Sequence, residues 1–171
     1  MKMSNVKFLW ASDFINQRPE EYWMKVMKIA KNSTLNRIMK SIDAMGRKEG
    51  DCLSVAQMFY PCMQCADIFF LGVDVCQLGH DQRKINMLAR DYIKKGKKPI
   101  SLTSHMIGGL KEGQRKMSKS DPENAIFMAD TVEDVKRKIK RAFCKEGDVE
   151  DNAVLELAKF FVFGFYKTFK L

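Results

Sequence analysis

Histidine is nearly missing from this chain and proline is scarce: two of the first and four of the second in 171 residues. His80 and His105 stand far apart, so no imidazole cluster offers itself to a metal ion. Cysteine occurs five times, at 52, 62, 65, 76 and 144, an odd count without regular spacing. That argues against a secreted disulfide framework. Cys62-x-x-Cys65 has no second pair beside it and falls in an apolar helical pattern, so buried thiols are the expectation. No apolar run reaches the roughly 18 residues of a membrane span, and the N-terminus carries no signal-peptide apolar region. The glycine–lysine–serine order of a P-loop is absent as well. These absences point to a reducing, cytosolic setting, with no metal site and no membrane.

What is present is basic and apolar. Thirty Lys and Arg face 21 Asp and Glu, a formal net charge of +9, and 46% of the residues are hydrophobic, enough for a packed core. The basic residues gather at 94–98, 111–119 and 136–141. Such clusters suit a polyanion such as RNA or ATP, and equally a solvated helix face.

The local pattern predicts a short strand at "VKFLW" (6–10). Pro19 then opens a helix, "PEEYWMKVMKIAK", with acids in the first turn and lysines in the last, as the helix dipole favours. Leu35, Ile38, Met39, Ile42 and Met45 recur at helical spacing with Gly46 as a stop, and 46–51 reads as loop. A helix over about 54–70 should kink or restart at Pro61. "VDVCQL" (73–78) reads as a buried strand, followed by a helix with Ile85, Leu88, Ala89 and Tyr92 inward and a further strand at "PISLTSHMI". That rhythm is α/β: a partial Rossmann-like parallel sheet with flanking helices. From about 130 the chain reads as all-α. Thr131 and Asp134 mark a helix start, Val135, Ile139, Ala142 and Phe143 share a face, and "AVLELAKFFVFGFYKTF" follows.

Three constellations carry chemistry. In "YPCMQCAD", Tyr60, Gln64 and Asp67 are four and three apart, so a phenol, an amide and a carboxylate share one helix stripe. Amid apolar neighbours such a stripe needs hydrogen bonds from protein or ligand. It suits an amino acid, with Tyr60 and Gln64 toward its amino group and Asp67 toward a hydroxyl. In "QLGHDQRK", Gly79 to Gln82 join a strand end to a helix start, where open α/β sheets bind ligands. Asp81 suits ribose hydroxyls or a helix cap, and Gln82 suits a carboxylate. In "QRKMSKSDPENA", Lys116 and Lys119 can neutralise a phosphate chain and Ser118 can donate to it. The nearby Gly108, Gly109 and Gly113 would let the loop close and reopen.

"KMSKS" (116–120) resembles the signature loop of class I aminoacyl-tRNA synthetases. The stretch "FYPCMQCADIFFLGVDVCQLGHDQRKINMLARDY" (59–92) resembles the eukaryotic and archaeal tyrosyl-tRNA synthetases. "FLWASDFI", "IMKSIDAMGR" and "ENAIFMADT" follow the same family in order. The resemblance implies that Tyr60 and Gln64 hold the amino end of L-tyrosine, Asp67 accepts its phenol proton, Gln82 meets the carboxyl side, and Gly79 and Asp81 serve the ribose of the adenylate. It implies that Lys116, Ser118 and Lys119 stabilise the triphosphate of ATP, which comes with Mg²⁺, before tyrosine passes to tRNA(Tyr). It also implies a cytoplasmic homodimer, a catalytic domain over 1–128, and the start of a helical anticodon-binding domain over 129–171.

The family's other signature, His-Ile-Gly-His, is absent. The sequence therefore reads as the middle-to-late portion of a synthetase, with one sheet edge and face unpartnered and no useful activity from these residues alone. A tryptophanyl-tRNA synthetase and a truncated, non-catalytic RNA- or partner-binding module are the competing expectations.

Overall fold

A computed structural model describes residues 4–42, 52–114, 116–166 and 168. The chain divides into two compact units, Met1–Ser104 and His105–Leu171.

The first unit is built on two helices. α1 (Ala11–Gln17) leads into α2 (Pro19–Lys31), which starts on its proline, with Glu20 and Glu21 in the first turn and Lys28 and Lys31 in the last. Tyr22, Val26 and Ile29, four and three residues apart, bury completely. They pack with Cys62, Cys65 and Ala66 of α4 (Val55–Phe70). Burying an aliphatic side chain of this size contributes about 1.5–3 kcal/mol, so this α2–α4 seam is the core of the unit. A short α3 (Leu35–Met39), capped by Thr34, precedes α4 and buries Ile38.

α4 begins in a capping box: the Ser54 hydroxyl accepts from the Gln57 N–H while the Gln57 side chain accepts from the Ser54 N–H. Pro61 lies inside it, yet the helix runs unbroken to Phe70. This corrects the expected restart. A proline costs its helix one hydrogen bond, and here its ring is buried in the core, so packing holds the backbone helical. Cys62 and Cys65 are buried free thiols, and burial pushes the Cys65 thiol up to about 12.

β1 (Val75–Gly79) pairs in parallel with β2 (Ile100–Ser104), with Val75 opposite Ile100 and Gly79 opposite Ser104. Between them run a 3-10 turn (His80–Gln82) and α5 (Arg83–Tyr92), whose Ile85, Leu88 and Ala89 are buried as the spacing implied. Among the described residues this pair is the whole sheet. Only Cys76 of β1 is buried, while Val75, Ile100 and Leu102 are each about half exposed (48%, 51% and 53%). A parallel sheet ordinarily has both faces covered, and these strands keep the apolar composition of that situation without the cover.

Residues 6–10 form no strand. The β-rich composition of "VKFLW" misleads because a strand also needs a ladder partner; Phe8 and Trp10 are instead 80% and 78% exposed. Leu35 is likewise exposed rather than inward. Met45, Gly46 and the expected loop at 46–51 lie outside the described residues.

The second unit opens with irregular chain that contains a 3-10 turn (Pro122–Asn124) and then forms α6 (Val132–Arg141). α6 starts in the Thr131–Asp134 capping box. It ends at Arg141, so Ala142 and Phe143 fall beyond the expected face, and Phe143 is 40% exposed. The residue that α6 buries is Lys138. Its ammonium donates to the Ala125 carbonyl at 2.9 Å and to Asp130 at 2.7 Å, and lies over the Phe127 ring. α7 (Ala153–Leu157), capped by Asn152, continues through a π-helical turn (Ala158–Val162) into a last helical turn, α8 (Phe163–Phe165). Phe160, Phe161, Phe163 and Phe165 all remain substantially exposed.

Candidate functional site

The α4 stripe exists. Tyr60, Gln64 and Asp67 all line one open cleft of about 600 Å³, floored by Met63, Ile68, Leu71 and Val73. Gln77, Leu78 and Gln82 form its other wall, at the carboxyl end of β1. α4 turns its Cys62–Cys65–Ala66 side to the core, which leaves the polar stripe for the cleft. Gln64 donates from Nε2 to Oε1 of Gln82 at 3.0 Å, joining the two walls. The Gln64 Oε1 atom is buried and takes no hydrogen bond. A buried acceptor left open costs free energy of order 1–3 kcal/mol, which a bound donor such as an ammonium group would recover.

Asp67 is perturbed by opposing influences. Burial raises its pKa, and a hydrogen bond from the Tyr22 phenol to Oδ1, 2.8 Å long, opposes that rise without cancelling it. The Tyr22 hydroxyl is itself pushed up, by burial first and then by the carboxylate it donates to. A carboxylate accepts at both oxygens, so Asp67 keeps capacity for a second donor. Sequence reasoning did not find Tyr22. It sits at a core position of α2, 45 residues away, and nothing in its spacing marks it as more than packing.

Gly79 closes β1 in register with Ser104, whose hydroxyl donates to the Leu78 carbonyl at 3.3 Å. Asp81 follows, half-buried, in the 3-10 turn, and Gln82 enters the cleft wall. His80 lies 3.5 Å from the Thr103 hydroxyl.

Lys116, Ser118 and Lys119 belong to the second unit. Their loop is a built structure. The Ser118 hydroxyl meets that of Ser120 at 2.8 Å and accepts from the Ser120 N–H. Met117 anchors the strand of chain between them: its N–H donates to Ile107, and its sulfur accepts from the Ile126 N–H. Lys119 is exposed and Lys116 half-buried. The base of the loop closes on Asn124, which is buried. Its side-chain Oδ1 accepts from the Lys111 N–H at 2.9 Å, its carbonyl accepts from the Leu110 N–H at 3.1 Å, and its own N–H donates to Asp121. Lys111 also pairs with Asp121 at 2.5 Å. Gly109 is pressed against this clasp: a Cβ there would lie 2.5 Å from the Asn124 amide and 2.6 Å from Cβ of Gln114. Asn124 was another omission of the sequence reading, since an asparagine after Asp-Pro reads as ordinary turn composition.

Part of the basic charge turns out to be internal. Arg137 pairs with Glu123 and Asp134, Lys138 with Asp130, and Lys97 with Asp74. These bonds hold the Glu123, Asp130 and Asp134 carboxyls below their ordinary range. The second unit also has a polar cleft of about 680 Å³. There Glu156 accepts from the Gly108 N–H and meets His105 Nε2, each at 2.8 Å. Among the described residues no group of three His, Cys, Asp or Glu is arranged to hold a metal, and no helix is long and apolar enough to cross a membrane.

A cleft at the carboxyl end of a parallel strand pair is where open α/β sheets bind ligands. Comparison with known proteins makes this specific: the chain belongs to the class I tRNA synthetases of the tryptophan and tyrosine group, whose family pattern matches residues 1–170. Among the relatives it matches within that group are tyrosine enzymes. It is 53% identical to the cytoplasmic tyrosine–tRNA ligase 2 of Arabidopsis thaliana over 174 residues, covering 100% of this chain and 23% of that one. The tyrosyl-tRNA synthetase of Leishmania major, solved in complex with tyrosinol, superposes with a TM-score of 0.79 at 47% identity, over 93% of this chain and 26% of that one. That of Pyrococcus horikoshii, complexed with L-tyrosine, gives 0.80 at 34% identity, over 92% and 49%. The chain thus spans half or less of the length of these relatives.

Proposed function

We propose that the protein containing this chain is a tyrosine–tRNA ligase. In this reading it activates L-tyrosine with ATP, which brings Mg²⁺ as part of the substrate, to tyrosyl-adenylate. It then transfers tyrosine to tRNA(Tyr) in the cytoplasm, as a homodimer. Residues 1–128 belong to its catalytic domain and 129–171 begin its helical anticodon-binding domain. The observation that supports this most is the meeting of Tyr60, Gln64, Asp67 and Gln82 in one cleft.

Each role follows from the chemistry of the group. Asp67 accepts the substrate phenol proton, and an amino acid without the hydroxyl leaves that acceptor unpaired, the arrangement that supports discrimination of about 10⁴–10⁵. The Gln64 side chain and the Tyr60 hydroxyl receive the ammonium group. Gln82, whose side-chain carbonyl accepts from Gln64, meets the carboxyl side of the substrate. Gly79 lets the adenylate approach the strand end, and Asp81 accepts from its ribose. Lys116, Ser118 and Lys119 stabilise the charge that grows on the triphosphate as the tyrosine carboxylate attacks the α-phosphate and pyrophosphate leaves.

The test is ATP–pyrophosphate exchange by the full-length protein. Tyrosine should drive it, and phenylalanine and tryptophan should not. Exchange driven by tryptophan instead, or RNA binding with no amino-acid-dependent exchange, would reject this reading.

A further inference from the structure

We propose that Tyr22 is the positioning residue that gives Asp67 its selectivity for a phenol-bearing amino acid. Its hydroxyl occupies one carboxylate oxygen from the core side and thereby presents the other to the cleft. The inference rests on reading the cleft as a tyrosine site.

Asp67 stands at a boundary. It lines the cleft, yet Oδ1 is held from behind by a phenol that is 1% exposed. That phenol has little freedom. Its ring packs edge-on against Phe70 at 5.4 Å and Trp23 at 5.5 Å, and against Phe14 at 6.2 Å. Phe70 is in turn covered by the Arg18 guanidinium at 4.4 Å. Turning the Asp67 carboxylate away would strand a buried hydroxyl without its acceptor, which is costly. The rotamer of Asp67 is therefore set from the core, and its remaining acceptor direction points where a ligand hydroxyl can meet it.

The bond also governs protonation. Burial drives Asp67 toward its neutral form, and the Tyr22 hydroxyl is the group that counters it. An ionised carboxylate is acceptor-only and demands a donor from the ligand. A protonated one carries a donor of its own and makes a weaker demand. Losing Tyr22's hydroxyl thus blurs discrimination through a looser rotamer.

The experiment compares tyrosine- and phenylalanine-dependent exchange by the full-length protein, as wild type, Tyr22→Phe, Tyr22→Met and Asp67→Asn, with thermal unfolding measured in parallel. Tyr22→Phe keeps the ring and removes only the hydroxyl. It should lower the tyrosine-over-phenylalanine ratio of kcat/KM by about tenfold or more. The loss should fall chiefly in KM for tyrosine, with phenylalanine exchange changed far less. Tyr22→Met should shift the ratio in the same direction. If both substrates lose equally, Tyr22 is only a packing residue and the proposal falls. It falls too if the ratio survives Tyr22→Phe while Asp67→Asn collapses it. If Asp67→Asn also leaves the ratio unchanged, the tyrosine reading of the cleft has failed, and this inference with it.

Discussion

Adding one methyl group at Gly109 should disable the lysine–serine loop without touching a lysine. A Cβ at this position would sit 2.5 Å from the side-chain amide of Asn124 and 2.6 Å from Cβ of Gln114. The second contact is with the root of a side chain, which cannot swing clear. The first is with a buried amide held by the Lys111 N–H at 2.9 Å. Something must move. Overpacking of this kind costs about 1–3 kcal/mol, and breaking the Asn124 clasp adds about 1–3 kcal/mol for a buried group left unpaired. A destabilisation of roughly 2–6 kcal/mol for Gly109→Ala follows from those two contributions. Denaturant unfolding measures it. The functional readout is tyrosine-dependent pyrophosphate exchange by the full-length protein, where, on the proposed roles, kcat should change more than KM for tyrosine, because the clasp supports the lysine–serine loop rather than the cleft of Tyr60, Gln64 and Asp67. Asn124→Leu should reproduce the pattern, and Asn124→Asp, which keeps the Oδ1 acceptor, should soften it. Wild-type stability and wild-type kcat in Gly109→Ala would refute the reasoning.

On the proposed role of Lys119, in which its ammonium acts on charge that develops in the transition state, Lys119→Ala should cut kcat for exchange by about 10²–10³ while leaving the tyrosine KM close to wild type. Asp67→Asn should make the fold more stable at neutral pH while weakening tyrosine selectivity. The folded pKa of Asp67 lies above its unfolded value, so between the two the folded state binds more protons and stability falls as pH rises; the variant should lack that decline when unfolding is followed from pH 3 upward. Glu123, Asp130 and Asp134 behave oppositely: their folded pKa values are depressed, so their contribution is present above the ordinary carboxylate range and lost as pH falls through it. Hydrogen exchange across α6 at pH 3 and pH 7 should show the helix start loosening in acid.

The helices were legible where their start signals and periodicity agreed. Pro19, the Thr131–Asp134 box and the Ile85–Leu88–Ala89 spacing each mark an element that the structure contains. Failures came where one level of the pattern lacked support from another. "VKFLW" has strand composition and no partner, while Pro61 is a breaker by propensity but sits buried in the core of a helix that does not restart. The cleft stripe was readable because Tyr60, Gln64 and Asp67 are close in sequence. Tyr22 and Asn124 were not readable, since each acts through a contact made by folding: one joins helices 45 residues apart, and the other ties a loop back on itself from a turn of ordinary composition. The basic stretch at 136–141 suited a polyanion or a solvated helix face, and its Arg137 and Lys138 pair with carboxylates within the same unit.

Lys138 limits where the neighbouring chain can pivot. Its ammonium is 4% exposed and grips the Ala125 carbonyl and the Asp130 carboxylate from α6. Sliding residues 125–130 along the helix would strand a dehydrated cation, a penalty few excursions can meet. With Asn124 fastening the upstream end, displacement of this loop is confined to the residues of its tip. The stretch leading into α6 then travels as a fixed handle rather than as part of the hinge.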